Sequence, residues 1–521
     1  MPPPPASYDS WTKEELIARL RQLERSSQSP SHISRDSKQK EFDFSAHPRR
    51  KIALKFCYNG SEYCGLEHQK GYTPLPSVEG VLFDALSHVR LIDPKGGFEG
   101  CGWEKCGRTD KGVSGAQQVV SLWVRSALQI DHARNITQGP SSSDNQLPPS
   151  TTGEDHTARD VVAVIPKQLD GDFDLMGDWD EPPSNTGRPL EVPQTQELKY
   201  VSSINNILPP SIRVIAWSPV SPDFSARFNC QYRHYKYFFT TKEDGLDVTS
   251  MQDAADRLLG EHDFRNLCKV DPAKQLTSFR RRILRAEINP VDESRGLYVF
   301  DLKGTAFLYN QVRHILAILF LVGTQLEHPS VMSALLNVDP QNPYPPFREG
   351  EHAPEVVETK PEYQMASGLP LVLWECGYSD TDVQWRTDRT PSIVDQSTTP
   401  AKPLSQRELS SNLHAQLSSI HTNSLIMTTL YSHFLLAARQ YHSPPPSYFP
   451  RNIPDALPIS DATVLSVPLG GGTYRKGARY VKLLERKRGE DVQAVNERWR
   501  EGKGKRRAER LEAERNRIVE E

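Results

Sequence analysis

The first clear pattern along the chain is an alternation of apolar and polar residues over 51–58, which predicts a β-strand. Asn59-Gly60 is a turn signal that ends this strand. Ser77 then begins a segment in which apolar residues recur every three or four positions, which predicts a helix with a serine N-cap. A second strand is predicted at about 117–124, after a glycine-rich loop at 107–115.

The same two periodicities predict a second group of elements further along the chain. The strand at 232–239 is aromatic and basic, with Tyr235 and Tyr237 on one face and Lys236 on the other. A long helix is predicted from Asn310 to about residue 325, with Arg313 in its first turn. The remaining predicted elements are a helical or turn segment at 204–208, strands at 212–217, 297–303 and 369–374, and a short helix at 251–259.

Polar stretches divide this pattern into regions of an α+β protein. The predicted regions are an N-terminal helix (11–24) with a linker in 1–48, an N-terminal catalytic half at 49–245, a C-terminal half at 246–380, a mostly irregular linker at 381–470 with an apolar helical run at 410–439, and a basic helical tail at 471–521. Within the first half, residues 128–195 are rich in Ser, Pro and acidic residues. This insertion is predicted to be disordered, because it has too little apolar surface to offset the entropy of ordering.

Composition and cysteine usage narrow the class of protein. Only 37% of the 521 residues are hydrophobic and 41 are Pro, which is typical of folded regions mixed with disordered ones. The seven scattered cysteines, without a secretory signal, favour a reducing compartment over a disulfide scaffold. Cys101 and Cys106 are isolated and lack a histidine pair at zinc-site spacing, so we expect buried or free thiols, with metal binding as the less favoured alternative. No apolar run approaches the length of a membrane span, which predicts a soluble protein.

Candidate chemistry is concentrated in the loop Gly107-Arg108-Thr109-Asp110-Lys111-Gly112-Val113-Ser114-Gly115. Its glycines indicate a tight turn or a close backbone approach. The positive charge of Arg108 favours an ionised Asp110, which is suited to act as a nucleophile, a general base or a metal ligand. An ordinary strand-connecting turn, with Asp110 capping the backbone and Arg108 solvated, explains the loop equally well, so the loop alone leaves both interpretations open.

Basic and aromatic residues occur in segments on both sides of this loop in the sequence. Residues 269–285 contain Arg280, Arg281 and Arg282 beside Phe279, a combination that suits phosphate neutralisation and base stacking by an RNA-binding protein. A dinucleotide-binding GxGxxG, a P-loop and an HExxH zinc helix are all missing from the sequence, so we expect a reaction without a cofactor. The cluster at 503–507 is compatible with a phosphate contact, a nuclear localisation signal or a solvated helix face.

Several of these segments together resemble the TruA-type tRNA pseudouridine synthases. The loop at 107–113 is similar to the catalytic loop of that family. The other similar segments, in the family's order, are 58–65, 224–228 with 233–237, 259–264, 306–313 and 368–369. The resemblance covers about 49–126 and 197–378. It has two departures, since Leu66 stands where the family usually has Trp and Ser114 where bacterial members have His.

The resemblance implies a pseudouridine synthase fold, with a mixed, mainly antiparallel sheet flanked by helices and a central RNA-binding cleft. It also implies that Asp110 starts cleavage of the uridine N-glycosidic bond, after which the uracil rotates and rejoins the ribose through C5. Attack on the ribose, attack on the base and removal of a ribose proton all stay open as the first step. Tyr235 is expected to stack on the base and to help remove the C5 proton, Arg313 to pair with Asp110, and Arg108 to hold the vacated position or phosphate of the flipped nucleotide.

The N-terminal helix, the insertion and the basic tail resemble the eukaryotic branch that modifies positions 38 and 39 in the anticodon stem-loop of tRNA. Membership implies tRNA as substrate, a homodimer whose subunits grip one tRNA, and a location in the nucleus and cytoplasm, with no cofactor and no membrane. The sister branch, which modifies other uridines, is the nearest alternative. A catalytically silent tRNA-binding protein is disfavoured because Asp110, Tyr235 and Arg313 are all present. An Asp-dependent nucleoside hydrolase differs in releasing free uracil.

Overall fold

The computed structural model describes residues 42–69, 71–128, 197–241, 245–388, 412–443 and 480–520. The described residues up to Ala46 form a unit of their own, which contains a single 3-10 turn at Phe44–Ala46. All other elements belong to the unit that begins at His47. The predicted helix at 11–24 and the insertion beyond residue 128 lie outside the described residues.

One sheet of nine strands organises the described part of the second unit. Its strands are β1 (Arg49–Tyr58), β2 (Glu104–Lys105), β3 (Ser114–Arg125), β4 (Ile212–Pro219), β5 (Tyr232–Thr240), β6 (Gly260–Asp263), β7 (Arg280–Asp292), β8 (Leu297–Gly304) and β9 (Leu371–Gly377). They lie in the order β4-β1-β3-β9-β5-β8-β7-β6, and β2 pairs with β3. The mixed, mainly antiparallel sheet predicted from the family resemblance is therefore confirmed.

The two halves of the sheet meet where β3 pairs with β9. This is the sheet's parallel pairing, and it is short, joining Ser114 to Val372 and Gly115 to Leu373. All the other strand pairs are antiparallel. Because β9 comes last in sequence, the sheet closes only when this strand inserts between β3 and β5. The glycine-rich loop ends at this junction, so its position depends on strands that are distant in the sequence.

Nine helices accompany the sheet in the described residues. They are α1 (Val78–His88), α2 (Gly97–Gly100), α3 (Tyr200–Asn205), α4 (Val248–Asp256), α5 (Gln311–Gly323), α6 (Ser330–Leu336), α7 (Leu413–Ala438), α8 (Val492–Trp499) and α9 (Lys505–Glu520). Several of them, such as α3, α4 and α5, bury the apolar faces of the sheet. Ser77 accepts a hydrogen bond from the Gly80 amide, as expected for an N-cap. The α5 helix is buried almost all round, which explains its nearly continuous apolar sequence.

Some elements were not predicted from the sequence. Residues 280–292 form β7, although their arginine-rich sequence had indicated only a basic segment. Along β7 only Ile283 and Ala286 are fully buried, so its apolar alternation is weak, and pairing with β8 on one side and β6 on the other determines its conformation. The short helix α6 was also missed, since its seven residues are too few to establish a helical period.

Two C-terminal segments differ in how much of their surface is buried. The α7 helix has no buried residue, although it carries a run of large apolar side chains. In contrast, residues 480–499 pack on the folded body, and Leu483 is completely buried in the core cluster to which α5 contributes. No helix in the described ranges combines the length and apolar character that crossing a bilayer requires.

Candidate active site

Asp110 lies in the loop between β2 and β3, just before the junction of the two sheet halves. The Val113 amide donates to the Asp110 carbonyl over 3.1 Å, which closes a tight turn. Gly112 within this turn has a φ of +83°, a conformation that favours glycine. Gln118 on β3 donates from its side chain to the Gly107 carbonyl over 2.9 Å. The loop is therefore bonded at both ends to a strand of the sheet.

The segment after β1 packs directly against this loop. A Cβ placed on Gly60 would lie 2.1 Å from the Val113 carbonyl oxygen, so only glycine fits there. The Gly60 amide donates to the Ser114 hydroxyl over 3.0 Å, which gives a structural role to the serine that departs from the family pattern. Leu66, the second departure, is completely buried and donates from its amide to the Thr109 carbonyl. The motif at 58–65 thus supports the loop from behind.

Arg313 is the cation closest to the Asp110 carboxylate among the ion pairs of the described residues. Its Nη1 lies 3.7 Å from Asp110 Oδ2, and the two side chains are 15% and 30% exposed. The Arg313 Nε donates to the Ala366 carbonyl over 2.7 Å, which fixes the guanidinium in place. The adjoining Gly368 approaches the Lys111 carbonyl so closely that a Cβ would lie 3.0 Å from it. Helix α5 and the segment before β9 therefore meet the loop from the C-terminal half.

The electrostatics of Asp110 differ from the sequence-based expectation. Burial raises the pKa of Asp110, and this effect outweighs the opposing charges of Arg313, Lys269 and Lys274. The prediction that Arg108 holds this carboxyl ionised was wrong, because Arg108 instead pairs with Glu67. A carboxylate with a raised pKa is a stronger base and nucleophile than an exposed one, so the site favours reactivity over stability.

Arg108 points into a chain of alternating charges. Its Nη2 lies 2.8 Å from Glu67 Oε1, and its side chain is 60% exposed. Glu67 also lies 3.3 Å from Lys105, which in turn pairs with the buried Glu79 at 2.9 Å. Arg108 is thus held by one exposed ion pair with Glu67. Such a pair is weak, so another anion can readily replace Glu67.

Tyr235 lies two strands away from the start of β3. Leu373 on β9 pairs with Gly115 on one side and with Tyr235 on the other. At the usual strand separation, this places the backbones of Gly115 and Tyr235 about 10 Å apart. The partly buried Tyr235 ring contacts the Phe307 ring edge-on, with 5.0 Å between centroids. Burial raises the pKa of the Tyr235 phenol far above its ordinary value, so the hydroxyl stays protonated.

Two lysines near Asp110 were not singled out from the sequence. Lys269 and Lys274 both act electrostatically on its carboxyl group, and both ammonium groups lie near the face of Tyr309, at 5.6 and 5.3 Å from the ring centroid. They belong to the basic segment at 269–285, but nothing in the sequence indicates which of its cations face the loop. The nearby Arg280 instead pairs with Glu261 on β6.

The partly buried Lys360, which contacts the residue next to Arg313, was also not identified from the sequence. Lys360 donates to the Cys268 carbonyl over 2.7 Å and lies 3.1 Å from His314 Nε2. Burial lowers the pKa of Lys360 to about 8 and that of His314 to about 2. These contacts connect the turn of α5 that carries Arg313 with the segment that carries Lys269. The sequence offered no signal for this, since Lys360 lies in a loop without periodicity.

The cysteines are reduced and the site has no cluster of metal ligands. All seven cysteines are free, and Cys101 and Cys106 are buried, as predicted. In the described ranges, no three His, Cys, Asp or Glu side chains are grouped so that they could hold a metal ion.

Comparison with known proteins identifies the family. A family model described as tRNA pseudouridine synthase matches residues 254–379. The tRNA pseudouridine(38/39) synthase of Saccharomyces cerevisiae is 32% identical over 521 residues, which covers 94% of this chain and 91% of the yeast protein. The tRNA pseudouridine(38/39) synthase of Homo sapiens is 34% identical, covering 72% of this chain and 66% of the human protein.

A more distant relative gives the same assignment. The tRNA pseudouridine synthase A of Methanothrix thermoacetophila is 28% identical over 65% of this chain and 86% of the archaeal protein. The family predicted from the ordered motifs is confirmed by the yeast relative, which the chain matches over nearly the whole length of both proteins. The chain therefore belongs to the TruA-type tRNA pseudouridine synthases, which are isomerases.

Proposed function

We propose that this tRNA pseudouridine synthase modifies uridines at positions 38 and 39 of the anticodon stem-loop. The observation that carries the proposal is the match to the yeast tRNA pseudouridine(38/39) synthase over 94% of the chain. The reaction breaks the bond between N1 of uracil and C1′ of ribose and forms a bond between C5 and C1′. A proton leaves C5 and a proton joins N1, so the product is an isomer of the substrate and no cofactor is consumed.

In this proposal Asp110 starts the cleavage of the glycosidic bond. Its raised pKa and its support from two segments of the fold suit a positioned base or nucleophile. Attack at the ribose, attack at the base and removal of a ribose proton are all compatible with a carboxylate in this loop. Arg313, at 3.7 Å, keeps the carboxylate charged enough to react and holds it in one orientation.

Tyr235 and Arg108 act on the substrate in the proposed mechanism. The base must leave its stack to reach Asp110, which costs a few kcal/mol. The exposed Arg108 exchanges Glu67 for the phosphate, or for the vacated position, of the flipped nucleotide and so offsets part of this cost. The ring of Tyr235 stacks on the uracil, and its hydroxyl, which stays protonated, takes up the C5 proton only as it releases its own proton to solvent.

Two further parts of the proposal rest on the family resemblance alone. We propose that two copies of the chain form a homodimer that grips one tRNA, and that the enzyme works in the nucleus and the cytoplasm. Light scattering of the purified protein with and without tRNA measures the first, and imaging of a tagged full-length chain measures the second.

Mapping of pseudouridine in unmodified tRNA at single-nucleotide resolution tests the central proposal. Signal at positions 38 and 39, which disappears with Asp110→Asn, is the expected result. Signal only at other uridines would retain the enzyme class and overturn the positional assignment. Release of free uracil in place of a retained C-glycoside would indicate a hydrolase, and tight tRNA binding without product would indicate a silent binding protein.

Replacing Arg313 with glutamine is expected to lower the single-turnover rate about tenfold or more and to move the acidic limb of its pH profile to higher pH. The reason is that loss of a cation at 3.7 Å raises the pKa of Asp110 further, and the active form is the carboxylate. Arg313→Lys keeps the charge and is expected to shift the limb less. An unchanged limb in Arg313→Gln would show that Arg313 does not act through Asp110.

Replacing Tyr235 with phenylalanine is expected to lower the catalytic rate about tenfold or more while the Kd for tRNA stays within about twofold. The ring and its edge contact with Phe307 remain, and only the hydroxyl is lost. Tyr235→Leu removes the ring as well and is expected to weaken binding also. Full activity of Tyr235→Phe, measured by single-turnover conversion, would rule out a role for the hydroxyl in proton removal.

A further inference from the structure

The start of the C-terminal tail is built into the folded body. Glu327 Oε1 accepts a hydrogen bond from the Leu483 amide over 2.7 Å and another from the Tyr480 hydroxyl. The Gly489 amide donates to the Lys360 carbonyl over 2.7 Å, and a β-bridge joins Pro361 to Arg488. Because Leu483 is fully buried, this segment has a fixed place in the structure.

The next part of the tail lies against the loop whose lysine acts on Asp110. Gln275 donates from its side chain to the Asn496 carbonyl over 3.2 Å, and Asn496, in α8, donates back to the Leu276 carbonyl at 3.5 Å. Lys274 immediately precedes Gln275. Helix α8 is thus bonded to the residues that directly follow Lys274, and the chain that continues from α8 emerges next to the proposed RNA-binding site.

The surface beside Asp110 already has the character of an RNA contact. Tyr309 is 40% exposed, and Lys269 and Lys274 lie over its ring. An exposed aromatic ring flanked by two ammonium groups suits a nucleotide, whose base or sugar stacks while its phosphate is neutralised.

Beyond α8 the tail becomes strongly basic and exposed. A wider π-helical turn at Arg500–Gly504 leads into α9 without a break in the helix. Between residues 498 and 510 the exposed basic side chains are Arg498, Arg500, Lys503, Lys505, Arg506, Arg507 and Arg510, against only Glu501 and Glu509. Arg498 pairs with Glu490 and Arg500 lies near Glu497. Among the residues whose side chains the structure describes, none of the other five has a carboxylate partner.

We propose that the exposed cations of residues 503–510 bind phosphates of the substrate tRNA outside the reacting nucleotide, and that they extend the Tyr309 patch into one continuous RNA-binding surface. The proposal rests on the proposed function, since it names a second contact for the same substrate. At 1.5 Å per residue, the eight residues 503–510 extend over about 12 Å beyond α8, so their positive charge lies outside the loop that carries Asp110. That distance directs the contact to the stem or body of the tRNA.

Neutralising the helix in the full-length chain tests this proposal. The variant combines Lys503→Gln, Lys505→Gln, Arg506→Gln and Arg507→Gln. We expect its Kd for whole tRNA to rise about tenfold or more at physiological salt, and the slope of log K against log salt to fall by about 2 to 4. The matched control exchanges Lys and Arg at the same four positions, which preserves the charge, and is expected to bind as the parent does.

Two further binding measurements, together with the mapping of pseudouridine, separate the possible outcomes. Binding of an isolated anticodon stem-loop is expected to change much less than binding of whole tRNA. Glu501→Lys with Glu509→Lys is expected to tighten tRNA binding several-fold, a gain that misfolding cannot produce. An unchanged Kd and salt slope in the glutamine variant overturns the proposal, and so does an equal loss with the stem-loop. A wrong positional assignment would appear instead as pseudouridine at other uridines, with these binding differences intact.

Discussion

Asp110→Asn is expected to reduce pseudouridine formation by about 10³-fold or more while tRNA binding is retained, because the amide cannot act as the base or nucleophile that starts the reaction. The measurement is single-turnover conversion of unmodified tRNA beside the Kd of the same variant. Asp84→Asn, on the exposed face of α1, is the matched control and should leave both quantities unchanged. Substantial residual activity of Asp110→Asn would remove Asp110 from the proposed mechanism.

The same substitution is expected to stabilise the folded protein at neutral pH. Burial raises the pKa of Asp110 above its unfolded value of 3.8, so the folded state binds the proton more tightly than the unfolded state. Ionisation therefore costs folding free energy once the pH exceeds the unfolded pKa, and the cost is complete above the folded pKa. Asparagine never ionises, so its Tm should exceed that of the parent at pH 7.

A pH series provides the control for this stability effect. The difference in Tm between Asp110→Asn and the parent should shrink as the pH falls through the raised folded pKa, and it should vanish below the unfolded pKa. A lower Tm for the variant at pH 7 would mean that the carboxylate contributes more through Arg313 than it loses through burial. The expected result instead describes a site in which reactivity is maintained at the expense of stability.

Gly60→Ala is expected to destabilise the protein by about 2 kcal/mol or more and to abolish activity. Its new Cβ would lie 2.1 Å from the Val113 oxygen and 2.3 Å from the Val113 carbonyl carbon, both of which are backbone atoms that cannot turn aside. Relief of this overlap must displace the Asp110 loop or the turn after β1. Denaturant unfolding and single-turnover conversion together measure the effect.

Gly107→Ala is the matched control for this prediction. It makes the same chemical change within the active-site loop, but a Cβ at residue 107 has no heavy atom within 4 Å. Its effect on unfolding should stay within about 0.5 kcal/mol, and activity should be largely retained. Equal losses in Gly60→Ala and Gly107→Ala would indicate that the loop is sensitive to any added side chain, whatever the packing around it.

Local pattern predicted the elements whose period is strong. The alternation at 51–58 corresponds to β1, the serine cap at Ser77 begins α1, and the apolar run after Asn310 is α5. In each of these elements one face or the whole surface is buried. The buried positions must be apolar, so the period of the strand or helix can be seen in the sequence. The arginine-rich strand β7 buries few side chains and was missed for the same reason.

The sequence by itself determined the chemical groups of this enzyme and the order in which they occur. The loop at 107–115, the aromatic strand and the helix with Arg313 were all recognisable, because tight turns, strands and helices each restrict the residues they accept. Those motifs also predicted the family. Local restrictions of this kind operate between neighbours in the chain, and so they can be recognised without a structure.

Only the tertiary structure decided how these groups act on one another. The insertion of β9 between β3 and β5 brings Tyr235 within about 10 Å of the start of β3, and α5 meets the loop through Arg313. The tertiary structure also places Arg313, the partner that the family resemblance implied, 3.7 Å from Asp110, and it turns the neighbouring Arg108 towards Glu67. The physical reason is that burial and long-range ion pairs depend on separations in space, and the pKa of Asp110 is set by the groups that surround it and not by its neighbours in sequence.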